Sequence, residues 1–326
     1  MKNLKIYLLS ILAILFLFSC EEEKDEVNEA KVLVEYLESA DSPLGKDFVN
    51  TEMPTIISAE AVKTAMATNE VYIIDIRSAV DYTAGHIENA VNVAASNVLS
   101  HVEETDLSGY TKIAVVCYTG QTAGWATTLL RIMGYDNAFS MKWGMSSWHS
   151  DFDKWTANTG NARATQFTST VTSKGAVGNL PELTTGKETG QEILEARVDA
   201  VYTEGFDAAK VSSQTVFDNL DNYYIVNYWP ADQYANPGHI PGAVQYTPKE
   251  SMKLSADLKT LPTDKPIAVY CYTGQTSAFL TAYLRVLGYD AKSLLFGTNS
   301  MIYDIMSTKG MTIFSDAQVM EYEYVQ

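Results

Sequence analysis

Along this 326-residue chain, short β-branched runs alternate with longer stretches of helical spacing. Residues 71–75, 90–93, 113–116 and 137–140 are short runs that read as strands. Between them the pattern predicts a helix over 59–67 with Ser58 as its N-cap, a helical turn over 79–83 and a short helix over 98–104. A longer helix over 123–133 should end at Gly134 as a left-handed cap. Strands separated by helices predict an α/β fold, a parallel sheet with helices on both faces. In such sheets ligands gather beyond the carboxyl ends of the strands.

The pattern occurs twice. Ile73-Ile74-Asp75 returns as Ile225-Val226-Asn227, and Gly85-His86-Ile87 as Gly238-His239-Ile240. Cys117-Tyr118-Thr119-Gly120-Gln121-Thr122 returns residue for residue as Cys271-Tyr272-Thr273-Gly274-Gln275-Thr276. The offset grows only from 152 to 154 residues, so the two copies are collinear. Two domains are expected, 51–156 and 191–312, with a tail at 313–326 that carries no signal. Between the domains, 157–190 is rich in Thr, Ser, Gly and Ala and reads as a linker with little core-forming power. Helical spacing over 192–201 opens the second domain, and 28–40 is an amphipathic helix expected to pack on the first.

The start of the chain has a different character. Lys2 and Lys5 precede an apolar stretch, 6–18, too short to span a membrane comfortably. Leu17-Phe18-Ser19-Cys20 resembles the bacterial lipobox. That resemblance implies a lipoprotein signal peptide over 1–19 and a diacylated Cys20 as mature N-terminus. It places the protein in the bacterial cell envelope, on the periplasmic side or the outer-membrane surface, touching the membrane through its lipid anchor only. Residues 20–50 would then be an acidic tether and the first helix; the run Glu21-Glu22-Glu23-Lys24-Asp25-Glu26 is also similar to surface-export signals of bacterial lipoproteins. The formal net charge of −17 leaves no electrostatic footprint for nucleic acid.

Two of the three cysteines lie in the repeated hexapeptide. Cys117 and Cys271 each end an apolar strand and precede a turn that opens a helix. Gly120 and Gly274 let the loop curl, and the following amides form a nest for an anion. Helix terminus and amides together are expected to lower the thiol pKa. Tyr118 and Tyr272 either line the mouth or pack. Thr119, Gln121, Thr122, Thr273, Gln275 and Thr276 either donate to the anion or satisfy loop backbone groups. His86 and His239 either act as bases or satisfy backbone groups of their loops. The alternative to two free thiols is a Cys117–Cys271 disulfide, although equivalent positions of two similar domains are seldom adjacent.

Taken in order, Asp75-Ile76-Arg77, Asp81-Tyr82, Gly85-His86-Ile87-Glu88-Asn89-Ala90, Cys117-x-x-Gly120 and Trp143-Gly144-Met145-Ser146-Ser147-Trp148 resemble the rhodanese family. The resemblance covers about 100 residues in each half, and it implies that His86 and His239 belong to a packing loop and are structural. It implies a tandem rhodanese-like sulfurtransferase that moves sulfane sulfur from thiosulfate or a persulfide donor to a thiol or cyanide acceptor. The carriers would be persulfides at Cys117 and Cys271, with no metal or organic cofactor. This chain departs from the family in two ways. The sixth loop position, often Arg or Lys in active members, is Thr122 or Thr276, and neither loop holds a cation. In the second unit Asn227-Tyr228-Trp229 stands for Asp75-Ile76-Arg77, Gln233 for Asp81 and Met301 for Trp148. Asp75, Arg77 and Asp81 are therefore expected to orient the first loop, making Cys117 the principal nucleophile. A catalytically weak binding or scaffold module is the alternative. A phosphatase or arsenate reductase fits less well, because it needs a longer loop with an Arg to grip an oxyanion.

Overall fold

The computed structural model describes residues 28–326; the leader 1–19, Cys20 and the acidic run after it lie outside the described residues. Two five-stranded parallel sheets form the body. The first comprises β1 (Ile56–Ile57), β2 (Val71–Asp75), β3 (Val91–Asn92), β4 (Lys112–Val116) and β5 (Ala138–Met141), in the order β1-β5-β4-β2-β3. The second comprises β6 (Lys210–Val211), β7 (Tyr224–Asn227), β8 (Val244–Gln245), β9 (Ile267–Tyr270) and β10 (Ala291–Leu294), in the equivalent order β6-β10-β9-β7-β8. The expected architecture is thus present twice. The edge strands β1 and β6 are only two residues long, too short to leave a periodic signal.

The helices are α1 (Glu29–Leu37), α2 (Phe48–Thr51), α3 (Ala59–Ala67), α4 (Ala79–Ala84), α5 (Val98–Glu104), α6 (Gln121–Ile132), α7 (Met145–Trp148), α8 (Gly190–Ala208), α9 (Ser213–Asp218), α10 (Ala231–Ala235), α11 (Gln275–Val286) and α12 (Tyr303–Thr308). Capping follows the local sequence: Ser58 Oγ accepts from Ala61 N, and Gly134 takes up φ 105° beyond the end of α6. The helix expected over 192–201 is longer, and its course breaks at Gly205 (φ 72°, ψ 167°).

The cores are not divided as two independent domains would divide them. The outer face of each sheet has its own cluster, around Ile73, Met141 and Trp148 in the first and Ile225, Trp229 and Met301 in the second. The inner faces share one continuous core that joins Leu129 and Trp125 of α6 to Phe279 and Leu280 of α11. Thr128 Oγ1 donates to the Phe279 carbonyl at 3.2 Å across this seam, and the Trp125 and Tyr202 rings meet edge to face at 5.4 Å. Helix α1 does not belong to the first unit alone. Its apolar residues Leu33, Val34 and Leu37 enter the shared core beside Ile193 and Val198 of α8, and Glu38 accepts from Leu254 N at 2.6 Å.

Both connecting segments are structural straps. Thr168 exchanges backbone hydrogen bonds with His239 (2.9 Å each way), and Thr172 bridges to Val244 of β8, so 157–190 lies along the second unit. Thr185 and Gly186 of that segment donate to the Glu29 carboxylate at 2.7–2.8 Å. The C-terminal tail, without signal in the sequence, crosses back to the first unit. Val325 and His86 exchange backbone hydrogen bonds (2.8 and 2.9 Å), and Met320 and Tyr322 amides bond to the Ser147 and Trp148 carbonyls. Each unit's C-terminal extension thus braces the other unit at the same place, the His of its Gly-His-Ile loop. As expected, those histidines are framework residues: His86 Nδ1 meets the Tyr82 carbonyl and His239 Nδ1 the Tyr234 carbonyl, both at 2.9 Å.

Candidate active site

The parallel register places Asp75, the last residue of β2, beside Val116, the last of β4, so Cys117 leaves the sheet at the carboxyl edge between β2 and β5. The chain turns through Gly120 (φ 78°) into α6. Cys117 Sγ accepts from Gly120 N at 3.1 Å and Ala123 N at 3.4 Å. The outward carbonyls of the loop are taken by the segment behind it: Met145 N donates to Cys117 O (2.8 Å), and Ser146 N and Oγ to Tyr118 O (3.1 and 2.7 Å). Gly144 makes that contact possible, since a Cβ there would lie 2.2 Å from Cys117 O. Trp143-Gly144 is therefore the back wall of the loop, which the motif alone did not disclose.

Electrostatics correct one expectation. Burial pushes the Cys117 thiol above its ordinary value; the amides of Ala123, Thr119 and Gly120 pull the other way, Asp75 adds to the rise, and the net direction is up. The cradle offsets the desolvation of a thiol that is only 6% exposed rather than producing a low-pKa thiolate. Cys271, 2% exposed, has a different partner set. Ser277 N donates to its Sγ at 3.3 Å, and the thiol points to Ser277 Oγ at 3.6 Å, which in turn meets Ser293 Oγ at 2.8 Å. The sequence reading missed Ser277; its signal was the residue just after the hexapeptide, where the first copy has Ala123. Both cysteines are free.

Around Cys117 the charged residues assemble as a unit. Asp75 and Arg77 are buried and paired, with Arg77 Nε 3.0 and 3.1 Å from the two carboxylate oxygens and Nη2 at 2.6 Å. Arg77 Nη2 also donates to Gly85 O at 2.7 Å, tying the Gly-His-Ile loop to the strand end. The guanidinium lies 5.0 Å from the Tyr118 ring centroid and 5.3 Å from that of Phe152. Tyr118 Oη donates to Asp81 Oδ1 at 2.8 Å. Hydrogen bonds from Ser78 and Tyr118, helped by Arg77 and Lys154, hold the Asp81 carboxyl below its usual range. In the second unit Trp229 stacks on Tyr272 (5.2 Å, 21°) where Arg77 covers Tyr118, Tyr272 Oη donates to Gln233 Oε1, and Asn227 Nδ2 donates to Tyr270 Oη at 2.7 Å. Burial foremost, with Cys271 and Asp232, pushes the Tyr272 hydroxyl up to about 12.

Tyr118, Thr119, Thr122, Tyr272 and Thr276 are half-buried around the two loops, and Thr273 Oγ1 accepts from Gln275 N at 3.2 Å. Gln121 and Gln275 depart from their expected roles. Gln121 Nε2 keeps a bond to Thr119 Oγ1 (3.0 Å), but its carbonyl oxygen reaches the other unit and accepts from Phe296 N at 2.8 Å. Gln275 Oε1 likewise accepts from Trp143 N at 3.0 Å. Among the described residues no group of three or more His, Cys, Asp or Glu side chains is placed to hold a metal ion, and no helix is long and apolar enough to cross a membrane.

Two parallel α/β units, each with a cysteine cradled by the start of a helix, define a thiol-centred tandem fold. The chain belongs to the rhodanese-like domain family, whose model matches residues 58–151 and 213–300, more than half of the chain. A thiosulfate sulfurtransferase GlpE of Shewanella oneidensis is 33% identical over 79 residues, 24% of this chain and 76% of that protein. An adenylyltransferase and sulfurtransferase uba4 of Ogataea parapolymorpha is 28% identical over 93 residues, 28% of this chain; the match spans only 24% of that protein's length. Among solved structures, SseA of Escherichia coli, described as a 3-mercaptopyruvate sulfotransferase, matches across 74% of this chain and 97% of its own at 18% identity, with a TM-score of 0.29. GlpE and uba4 are sulfurtransferases by name, and together with the rhodanese-like match they support sulfur transfer at the level of the family.

Proposed function

We propose that this protein is a lipid-anchored, extracytoplasmic sulfurtransferase in which Cys117 carries sulfane sulfur as a persulfide. The observation that carries the reading is the cradle itself, two backbone amides aimed at Cys117 Sγ with both flanking loop carbonyls engaged elsewhere. The thiol first loses its proton to solvent. Its sulfur then attacks the outer sulfur of thiosulfate, the S–S bond of the donor breaks, and sulfite leaves with the bonding pair. The product, Cys117–S–S⁻, places its charge among the amides of the cradle. An acceptor thiolate or cyanide then attacks the outer sulfur, and Cys117 leaves as thiolate. A persulfide donor enters the same cycle with a thiolate as leaving group. GlpE's name supports thiosulfate as donor; the uncharged loop supports a small, polarisable sulfur species over a phosphate ester.

Mass spectrometry of the protein treated with thiosulfate tests the reaction. A mass gain of one sulfur on the Cys117 peptide, discharged by cyanide, is expected. Cys117-dependent hydrolysis of an aryl phosphate without sulfur transfer would replace this reading with a phosphatase. No sulfur gain on either cysteine would leave a binding module. The anchor rests on the lipobox, and Cys20→Ser should release the protein from membranes or block its maturation; unchanged fractionation would remove it.

A further inference from the structure

The two cradles are built across each other. Gln121 and Gln275 are the first residues of α6 and α11, and each is 2% exposed. The Gln275 carbonyl oxygen accepts from Trp143 N, immediately before the Gly144 that backs Cys117 O. The same oxygen lies against Gly120, where a Cβ would come within 2.4 Å of it. Gly120 N is a donor to Cys117 Sγ. The mirror arrangement holds in the other direction. Gln121 Oε1 accepts from Phe296 N, before the Gly297 that backs Cys271 O, and a Cβ on Gly274 would come 2.3 Å from it. Trp143 and Phe296 have positive φ (64° and 60°), so each sits in a backbone conformation that the hydrogen bond from across the interface helps to hold.

We propose that Gln275 is a positioning residue for Cys117 and Gln121 a positioning residue for Cys271. Each glutamine belongs by sequence to one thiol loop and supports the back wall and the glycine turn of the other. The arrangement makes the two thiols a coupled pair: the loop that holds one begins the helix whose first side chain shapes its partner. The geometric claim is independent of the reaction, while its catalytic consequence rests on the sulfurtransferase reading above. It also assigns the side-chain carbonyl oxygen of the fifth hexapeptide residue a role in the opposite loop.

The test uses the full chain and does not need sulfur transfer. Alkylation by iodoacetamide, resolved by peptide mass spectrometry, gives a pH–rate profile for each cysteine. Gln275→Glu keeps an acceptor for Trp143 N and puts a negative charge beside Gly120. The Cys117 profile should move to higher pH by about one unit, a roughly tenfold lower rate on the rising limb, with Cys271 within about twofold of the parent. Gln121→Glu should give the reverse. Larger effects on the cysteine four residues away in the same loop, or no change at either, would overturn the proposal. Amide exchange supplies a second measurement. Gln275→Leu should speed exchange at Trp143 N, and Gln121→Leu at Phe296 N, by about tenfold or more; unchanged exchange would overturn the proposal even if the thiols resist alkylation. A crossed pattern together with no persulfide on either cysteine would retain this inference and remove the sulfurtransferase reading.

Discussion

The two units hold the same hexapeptide in the same place and surround it with different physics. In the first, a buried ion pair stands beside the loop, a guanidinium covers Tyr118 and a carboxylate receives the tyrosine hydroxyl. In the second, an amide, an indole and a second amide fill those positions, with the tyrosine stacked and hydrogen-bonded in the same manner. The shape is retained while every charge is gone. The charges are lost as a set for a physical reason: removing one partner of a buried pair leaves an unpaired ion, whereas replacing both with groups that fill the space is tolerated. Neither surround is fully satisfied: Asn227 Oδ1 and Trp229 Nε1 are buried without partners, as is Arg77 Nη1 in the first unit. The first unit therefore has a titratable, polarising surround for its thiol, and the second has a neutral one with a hydroxyl chain at the sulfur.

That difference is sharpest in turnover. Cys117→Ser should lower sulfur transfer to cyanide by two or more orders of magnitude, while Cys271→Ser leaves most of it. Activity due to Cys117 should climb with pH into the alkaline range, because its thiolate forms above the ordinary thiol value. If Cys271→Ser abolishes transfer and Cys117→Ser does not, the charged surround is only architecture. Stability separates the units next. Arg77→Met leaves Asp75 buried and alone, and should cost about 3–5 kcal/mol in urea unfolding. Asp75→Asn combined with Arg77→Met removes both charges, as Asn227 and Trp229 do in the second unit, and should recover much of that loss. A double variant no more stable than the single would show that the pair does not act as a unit.

The smallest effect is at Asp81, whose counterpart Gln233 cannot titrate. Its folded pKa is depressed by Ser78 and Tyr118. The stability it adds is present above its unfolded value near 3.8 and is lost as pH falls through the lower folded value. Asp81 is half-buried at the surface, where water still screens its charge, so Asp81→Asn should cost about 1 kcal/mol or less at neutral pH, with the difference vanishing in acid. Urea titrations at several pH values would check this, and a difference that grows on acidification would contradict the assignment.

The chain's local order sufficed for much of this. The duplicated motif, the strand runs ending at Asp75 and Cys117, the Ser58 cap and the Gly134 terminus are short-range features, and each left its residues in the sequence because backbone geometry demands them there. The family resemblance followed from the same motifs. Only the tertiary structure decided how the halves meet. The straps at Thr168–His239 and His86–Val325 are made of backbone hydrogen bonds, which any side chain permits and no composition announces. The pairing of α1 with α8, the rise rather than fall of the Cys117 pKa and the reach of Gln121 and Gln275 into the opposite unit all depend on what lies across a shared core. A glutamine in a thiol loop reads as a ligand donor until the second loop is placed against it, because its partner, a backbone amide 175 residues away for Gln121, carries no mark of its own.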